Sequence, residues 1–208
     1  MSVFNIKIDF EKSKGSYVFD KNTNRPYLDF MGMYSSLPIG YNHLVFSTRS
    51  FFTRKKSFED EILNVAKLKI VNCEILSDEY ELFLESFKSF TYKKGYSNYA
   101  FTCTGALANE AAIKTAMWYK GPRNDGYILS IKNSFHGINS VGNIITTRFQ
   151  GVDIRQDKLP GLEAWPMVDN IEDAIHHIER SDERLQGIII EPIQATYGDN
   201  YLDKEMLI

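Results

Sequence analysis

Thr102-Cys103-Thr104-Gly105-Ala106-Leu107-Ala108-Asn109-Glu110 decides the fold class of this chain. Ahead of it, Tyr99-Ala100-Phe101-Thr102 reads as a short strand. It meets a glycine turn at Gly105, and a helical run follows from about Leu107 to Tyr119. That order leaves unpaired backbone N–H groups at a helix N-terminus, where the helix dipole favours an anion. A phosphate is the natural guest. The other reading is an ordinary strand–turn–helix, and it is the commoner source of such a pattern.

The alternation continues on both sides of this segment. Strands are expected over residues 99–103, 127–132, 143–147 and 187–191, and helices over residues 107–119 and 171–179. Asn170 caps the last helix, whose buried face would be Ile171, Ala174, Ile175 and Ile178. Gly187-Ile188-Ile189-Ile190 is continuously apolar, as a strand covered on both faces requires. This is an α/β pattern with a mostly parallel sheet and flanking helices. Residues 151–166 are the least regular and read as a surface connection. Toward the N-terminus, Ser16-Tyr17-Val18-Phe19-Asp20 and Tyr27-Leu28-Asp29-Phe30 read as a hairpin around Lys21-Asn22-Thr23-Asn24. A loop follows over residues 35–43. A helix is expected over residues 58–71, with Ile62, Val65, Ala66 and Lys69 at helical spacing. A second begins near Ser77, with Tyr80, Phe83, Leu84, Phe87 and Phe90 on its apolar face.

Composition narrows the function. The 208 residues are 43% hydrophobic and 25% charged, as in a soluble globular protein, and suffice for one good-sized domain. A net charge of −3 argues against a nucleic-acid binder, which needs a basic face. No apolar run is long enough to cross a membrane, and Met1 to Gly15 lacks the apolar core of a signal peptide. Cys73 and Cys103 make no disulfide framework, so a cytoplasmic setting fits. His43, His136, His176 and His177 show no zinc spacing, and the pair His176-His177 reads as surface.

Two later segments carry chemistry. Ser134-Phe135-His136-Gly137 follows the strand expected at 127–132. Ligands bind at the carboxyl ends of parallel strands, and a flat heteroaromatic ring would stack on Phe135. A core phenylalanine beside a hydrogen-bonded histidine is the plain alternative. Glu191-Pro192-Ile193-Gln194 puts a carboxylate at the end of a buried strand, which is costly unless it is paired or wetted by a cleft. A glutamate leaving the sheet for solvent explains it equally well.

In this order the segments resemble the class III aminotransferases, fold-type-I pyridoxal-phosphate enzymes. The resemblance runs from Ser16-Tyr17-Val18-Phe19-Asp20 through Gly40-Tyr41-Asn42-His43 and the Gly105 segment to Phe135-His136-Gly137 and Glu191-Pro192-Ile193-Gln194. Gly105-Ala106-Leu107-Ala108, Ser35-Ser36 and Gly198-Asp199-Asn200 look most like L-lysine 6-aminotransferases. Those tend to carry Arg directly after the Phe-His-Gly motif, a good carboxylate partner, where this chain has Ile138. The resemblance implies that pyridoxal 5'-phosphate is the cofactor. Gly105 and Ala106 would bind its phosphate and Phe135 would stack on its ring. Glu191 would lie beside substrate and cofactor, with Gln194 in the same pocket. It further implies amino transfer from an amine or amino acid to a 2-oxo acid, a homodimer, and neither metal, nucleic acid nor membrane as partner. Residues 1–57 would form an N-terminal hairpin and loop segment, and residues 58–208 an incomplete cofactor-binding large domain.

Two groups follow the Glu-Pro motif in that family: an Asp in an Asp-Glu-Val-Gln-like stretch, and farther on the Schiff-base lysine. Asp199 and Asp203 stand in no such motif, and Lys204 follows too closely, so no catalytic lysine is assigned. Complete members would be roughly twice this length. The competing readings are a non-catalytic cofactor-binding or subunit-interaction module and, more weakly, an unrelated nucleotide-binding domain. The latter lacks both Gly-x-Gly-x-x-Gly and a Walker lysine motif. Aminomutase or decarboxylase chemistry on the same cofactor is also open. As a truncated N-terminal part, the chain alone is expected to be poorly soluble or only partly folded, because a sheet edge and apolar faces are left bare. A cooperative thermal transition from a soluble monomer would overturn that expectation.

Overall fold

The hairpin at the N-terminus gains a third strand. The computed structural model describes residues 5–47, 57–67, 76–91, 95–121, 123–147, 165–180 and 182–202. Strands β1 (Ile8–Lys14), β2 (Tyr17–Asp20) and β3 (Arg25–Leu28) form an antiparallel sheet in that order, with Tyr17 opposite Leu28 and Asp20 opposite Arg25. Asp20 is buried and organises the turn. Its carboxylate accepts from the backbone N–H groups of Lys7, Asn22 and Thr23 and from the Thr23 hydroxyl. These bonds favour the charged form and hold its pKa below the usual value.

The loop after β3 is backbone-strained. Its four-residue turn α1 (Gly32–Ser35) carries Met33 at φ 50°, Tyr34 at φ 56° and Ser35 at φ 63°, all left-handed. Such a residue costs about 1–2 kcal/mol. Asp29 holds the entry, accepting from the N–H groups of Met31 and Gly32, each at 2.9 Å, and from the Tyr41 hydroxyl at 2.9 Å. Helix α2 (Phe58–Lys67) follows, with Ile62, Leu63 and Val65 exposed. Its expected continuation to Val71 lies outside the described residues, as does most of the 151–166 connection.

The contacts divide the chain into two units, residues 1–75 and 76–208. The second begins with α3 (Asp78–Thr91), whose start is held by the Ser77 hydroxyl accepting from Tyr80 N–H. The stretch 99–103, expected as a strand, enters no ladder among the described residues. Its alternating aromatics pack on α3 instead. Phe101 meets Phe83 and Phe87 at centroid distances of 5.0 and 5.2 Å, and Tyr99 meets Phe87 at 5.3 Å.

Next come α4 (Gly105–Lys120), β4 (Tyr127–Ile131), α5 (Ser140–Ile144), β5 (Met167–Val168), α6 (Ile171–Glu179) and β6 (Leu185–Ile189). Then β7 (Ile193–Gln194) pairs antiparallel with β8 (Asn200–Tyr201). Strands β5, β4 and β6 form a parallel sheet in that order, as an α/β pattern predicts. Every residue of β4 is buried, and its two faces seal two cores. Ile128 packs with Ile113 of α4 and Ile145, while Tyr127 and Leu129 pack with Ala174 of α6. Gly187 leaves room for the neighbouring β4 side chain, since a Cβ there would lie 3.1 Å from Ile128 Cδ1, while Ala116 Cβ of α4 would stand at an ordinary 3.6 Å. Strand β6 is only half-buried, and Ile175 and Ile178 of α6 are exposed, so those apolar expectations are met in part.

Two further expectations are corrected. Residues 143–147 are not a strand: Ser140–Ile144 is helical and Thr146 Oγ1 bonds back to Gly142 and Gly137. Local β-propensity loses there to side-chain bonds into the turn. His177 is not a free surface residue: its Nε2 meets the Tyr127 hydroxyl, which also donates to Asp182.

The cores predict unequal sensitivities. Leu129→Ala should lower unfolding free energy by about 2–5 kcal/mol in urea titrations. Asn170→Ala, which removes the 2.8 Å cap to Asp173 N–H, should cost about 1 kcal/mol.

Candidate active site

The site is assembled at the carboxyl ends of β4 and β6 and the start of α4, where open α/β sheets bind ligands. Thr104, not Gly105, ends the approach to the helix. It is the N-cap, in extended conformation, and its hydroxyl accepts from Leu107 N–H at 3.1 Å. Gly105 is the first helical residue, so its freedom is not spent on a turn. A Cβ built on it would meet nothing within 4 Å. Ala108 N–H is taken by the Thr104 carbonyl at 3.0 Å, while the N–H groups of Gly105 and Ala106 lead the helix, where intrahelical partners are lacking. Gly105 is exposed, so the helix carries the positive end of its dipole to the surface there.

The backbone turn 132–137 leaves β4 beside this helix start, and remote side chains secure it. Gln194 donates from Nε2 to the Lys132 carbonyl at 2.7 Å and to Ser134 Oγ at 3.1 Å. Thr147 Oγ1 accepts from Asn133 N–H at 2.7 Å, and Asn133 sits at φ 65°. Glu191 Oε2 accepts from Phe135 N–H at 2.9 Å. Thr146 Oγ1 accepts from His136 N–H at 2.9 Å, and Asn109 Nδ2 donates to the His136 carbonyl at 2.8 Å. Glu110 takes the N-terminal end of α5, accepting from Gly142 N–H and the Ser140 hydroxyl. Gly137 lies directly on α4: at φ 128°, a Cβ there would sit 2.8 Å from Ala106 Cβ.

Ala106 meets this turn at Gly137, Glu191 and Gln194 bond to it at Phe135 and Ser134, and Gly105 precedes Ala106 on the same helix. Phe135 is half-buried and Glu191 is half-buried beside it. Gln194 is 2% exposed and held by Asn200 as well, whose Nδ2 donates to Gln194 Oε1 at 2.8 Å. Ile138, just past the glycine, is exposed. Sequence reasoning missed Asn109, Glu110, Thr146, Thr147 and Asn200. Only Asn109 and Glu110 carried a signal, as polar residues inside the first turns of an otherwise apolar helix. Among the described residues no cluster of His, Cys, Asp and Glu could hold a metal. No helix among them is long and apolar enough to cross a membrane.

His136 is the titratable group most altered by this packing. It is 4% exposed and its Nε2 has no partner among the described residues. Burial disfavours the imidazolium and pushes its pKa down from 6.5 to about 4. The unfolded chain therefore binds a proton that the folded chain refuses between those values. Stability from His136 is fully present above pH 6.5 and falls as pH drops toward about 4. The loss should approach about 3 kcal/mol. Urea titrations across that window should show the slope, and His136→Leu should flatten it. Asp182, held low chiefly by Arg184, acts only below its ordinary 3.8, so the two effects separate. Gly137→Ala should cost about 2–4 kcal/mol in the same assay, because the left-handed backbone and the Ala106 contact both oppose a Cβ.

Comparisons place this geometry among known proteins. The family model "Aminotransferase class-III" matches residues 2–208. The mitochondrial 4-aminobutyrate aminotransferase of Mus musculus is 27% identical, over 93% of this chain and 46% of that protein. The L-lysine-epsilon aminotransferase of Amycolatopsis lactamdurans is 25% identical, over 98% of this chain and 50% of that one. The chain thus spans about half the length of the curated relatives it matches. Among solved structures, a lysine aminotransferase from M. tuberculosis superposes with TM-score 0.80 at 24% identity, covering 100% of this chain and 52% of that one. The ornithine aminotransferase of Toxoplasma gondii ME49 superposes with TM-score 0.75 at 19% identity, covering 99% of this chain and 45% of its own. The fold is that of the fold-type-I aminotransferases. On the match of nearly its whole length, this chain belongs to the class-III aminotransferases, a pyridoxal-phosphate-dependent family.

Proposed function

We propose that this chain is the cofactor-holding N-terminal part of a transaminase. Its reaction moves an amino group from an amine or amino acid to a 2-oxo acid, with the ε-amine of L-lysine as the candidate donor. The observation that carries the reading is the open start of α4 locked against the turn that bears Phe135. Residues 58–208 belong to the cofactor-binding large domain in this reading, and residues 1–57 to the hairpin and loop segment before it.

The residues present fit pyridoxal 5'-phosphate. The free space over Gly105 is what a phosphate on the N–H groups of Gly105 and Ala106 requires. An aspartate or glutamate in the first turn would repel it, and α4 has none there. Phe135 supplies an aromatic face beside this anion site, and stacking of a flat ring is worth about 0.5–1.5 kcal/mol beyond area burial. Glu191 and Gln194 support the turn that carries that face. Bound pyridoxal phosphate would supply the electron sink that makes amino transfer feasible. The remaining proton transfer needs a lysine amine, and no residue of this chain is assigned that role. The donor choice rests on the L-lysine-epsilon aminotransferase relatives, and Ile138 removes one carboxylate partner that a lysine-specific site would use. A cytoplasmic homodimer completes the reading.

Titration of the 208-residue chain with pyridoxal phosphate tests it, followed by absorbance and tryptophan fluorescence. Binding should saturate, inorganic phosphate should compete, and Gly105→Asp should weaken binding at least about 10-fold. Saturable binding with indifference to both phosphate and Gly105→Asp would mean that the α4 start is not the phosphate site. Binding without turnover by the whole gene product on L-lysine and a 2-oxo acid would favour the non-catalytic module.

A further inference from the structure

We propose that Glu191 and Gln194 are positioning residues for the Phe135 turn, Glu191 as a hydrogen-bond acceptor and Gln194 as a hydrogen-bond donor. Their effect on cofactor binding passes through that turn and not through contact with the cofactor. The inference rests on the reading of Phe135 as the ring-stacking residue.

The hydrogen-bond inventory of Gln194 supports it. An amide side chain has two N–H donors and one carbonyl oxygen. Both donor contacts are directed at the turn, to the Lys132 carbonyl and to Ser134 Oγ, and the oxygen accepts from Asn200. At 2% exposure no donor remains for a ligand. Glu191 stands at the other end of the motif, where its Oε2 takes the N–H of Phe135 itself. Pro192 fixes φ between them, and its carbonyl accepts from Leu202 N–H at 3.0 Å. Acceptor, rigid residue and donor thus stand on one short segment, and each end grips the same turn. Thr146 and Asn109 hold the next residue, His136, from the other side. The backbone of Phe135 is fixed between two anchored neighbours, so the position from which its ring projects is set by the Glu191 to Gln194 segment.

The requirement for an acceptor at 191 and a donor at 194 gives opposite outcomes for two isosteric exchanges. Two quantities would be measured on the whole gene product: amide hydrogen exchange at residues 133–137, and pyridoxal-phosphate affinity. E191A should speed exchange of the Phe135 amide about 10- to 100-fold and weaken binding. E191Q keeps an acceptor and should stay within about 3-fold of the native chain in both. Q194E keeps size but loses both donors, and should behave like Q194A, with exchange accelerated only near residues 132–135. The proposal is overturned if E191Q loses as much affinity as E191A while the Phe135 amide stays slow, which is the signature of direct contact. It is equally overturned if Q194E retains native exchange, or if E191A and E191Q both accelerate exchange across the whole chain. Should the native whole gene product take up no pyridoxal phosphate, the functional reading fails by itself. The exchange pattern of E191A against E191Q then still decides the positioning role.

Discussion

Burial of the whole of β4 is the constraint from which the rest follows. A strand sealed on both faces delivers its chain into the turn at 132–137 with little water at hand. Buried backbone N–H and C=O groups must then find partners in the protein. Here they find them on side chains: Thr147 for Asn133, Glu191 for Phe135, Thr146 and Asn109 for His136, and Gln194 for the Lys132 carbonyl. These partners come from α4, from the segment after α5 and from the segment after β6. Satisfying one turn thereby fixes three other segments around it.

The same accounting explains why the site is polar in support and open at its centre. Most of the hydrogen-bonding capacity around the turn is spent on holding it. The start of α4 keeps donors to spare, because Thr104 caps only one of them and Gly105 is exposed. Close contact between Gly137 and Ala106 brings the aromatic turn onto that helix end, and it works only because both residues are small. Glu110, one turn farther along α4, reaches the N-terminal end of α5, so a single helix organises both the anion-binding end and the adjoining loop.

The family resemblance and the physics of the residues meet at this point but carry different weight. Membership in the class-III aminotransferases rests on the match across residues 2–208. The roles of Gly105, Ala106 and Phe135 rest on geometry that suits a phosphate and a flat ring. For Gln194 the geometry points away from ligand contact, since its amide is already used. A motif residue can thus matter for a site without facing it.

Much of the layout was legible in the sequence. The continuous apolar run at Gly187 to Ile190 marks a parallel strand, though only a half-buried one, Asn170 and Ser77 mark helix starts, and the turn-rich Lys21-Asn22-Thr23-Asn24 marks the hairpin, because each of these is a local effect of propensity or capping. Local pattern failed where partners are remote. Tyr99 and Phe101 alternate like a strand yet pack on α3, and Ile144 and Ile145 look like a strand beside a residue pair, Thr146-Thr147, that instead caps the turn. By itself the sequence determined the α/β order, since period and capping are written within a few residues. Only the tertiary structure decided that Thr104 is the cap, that His136 is neutral in a dry site, and that Gln194 braces a turn. Each of those depends on groups tens of residues away, brought together by burial of β4.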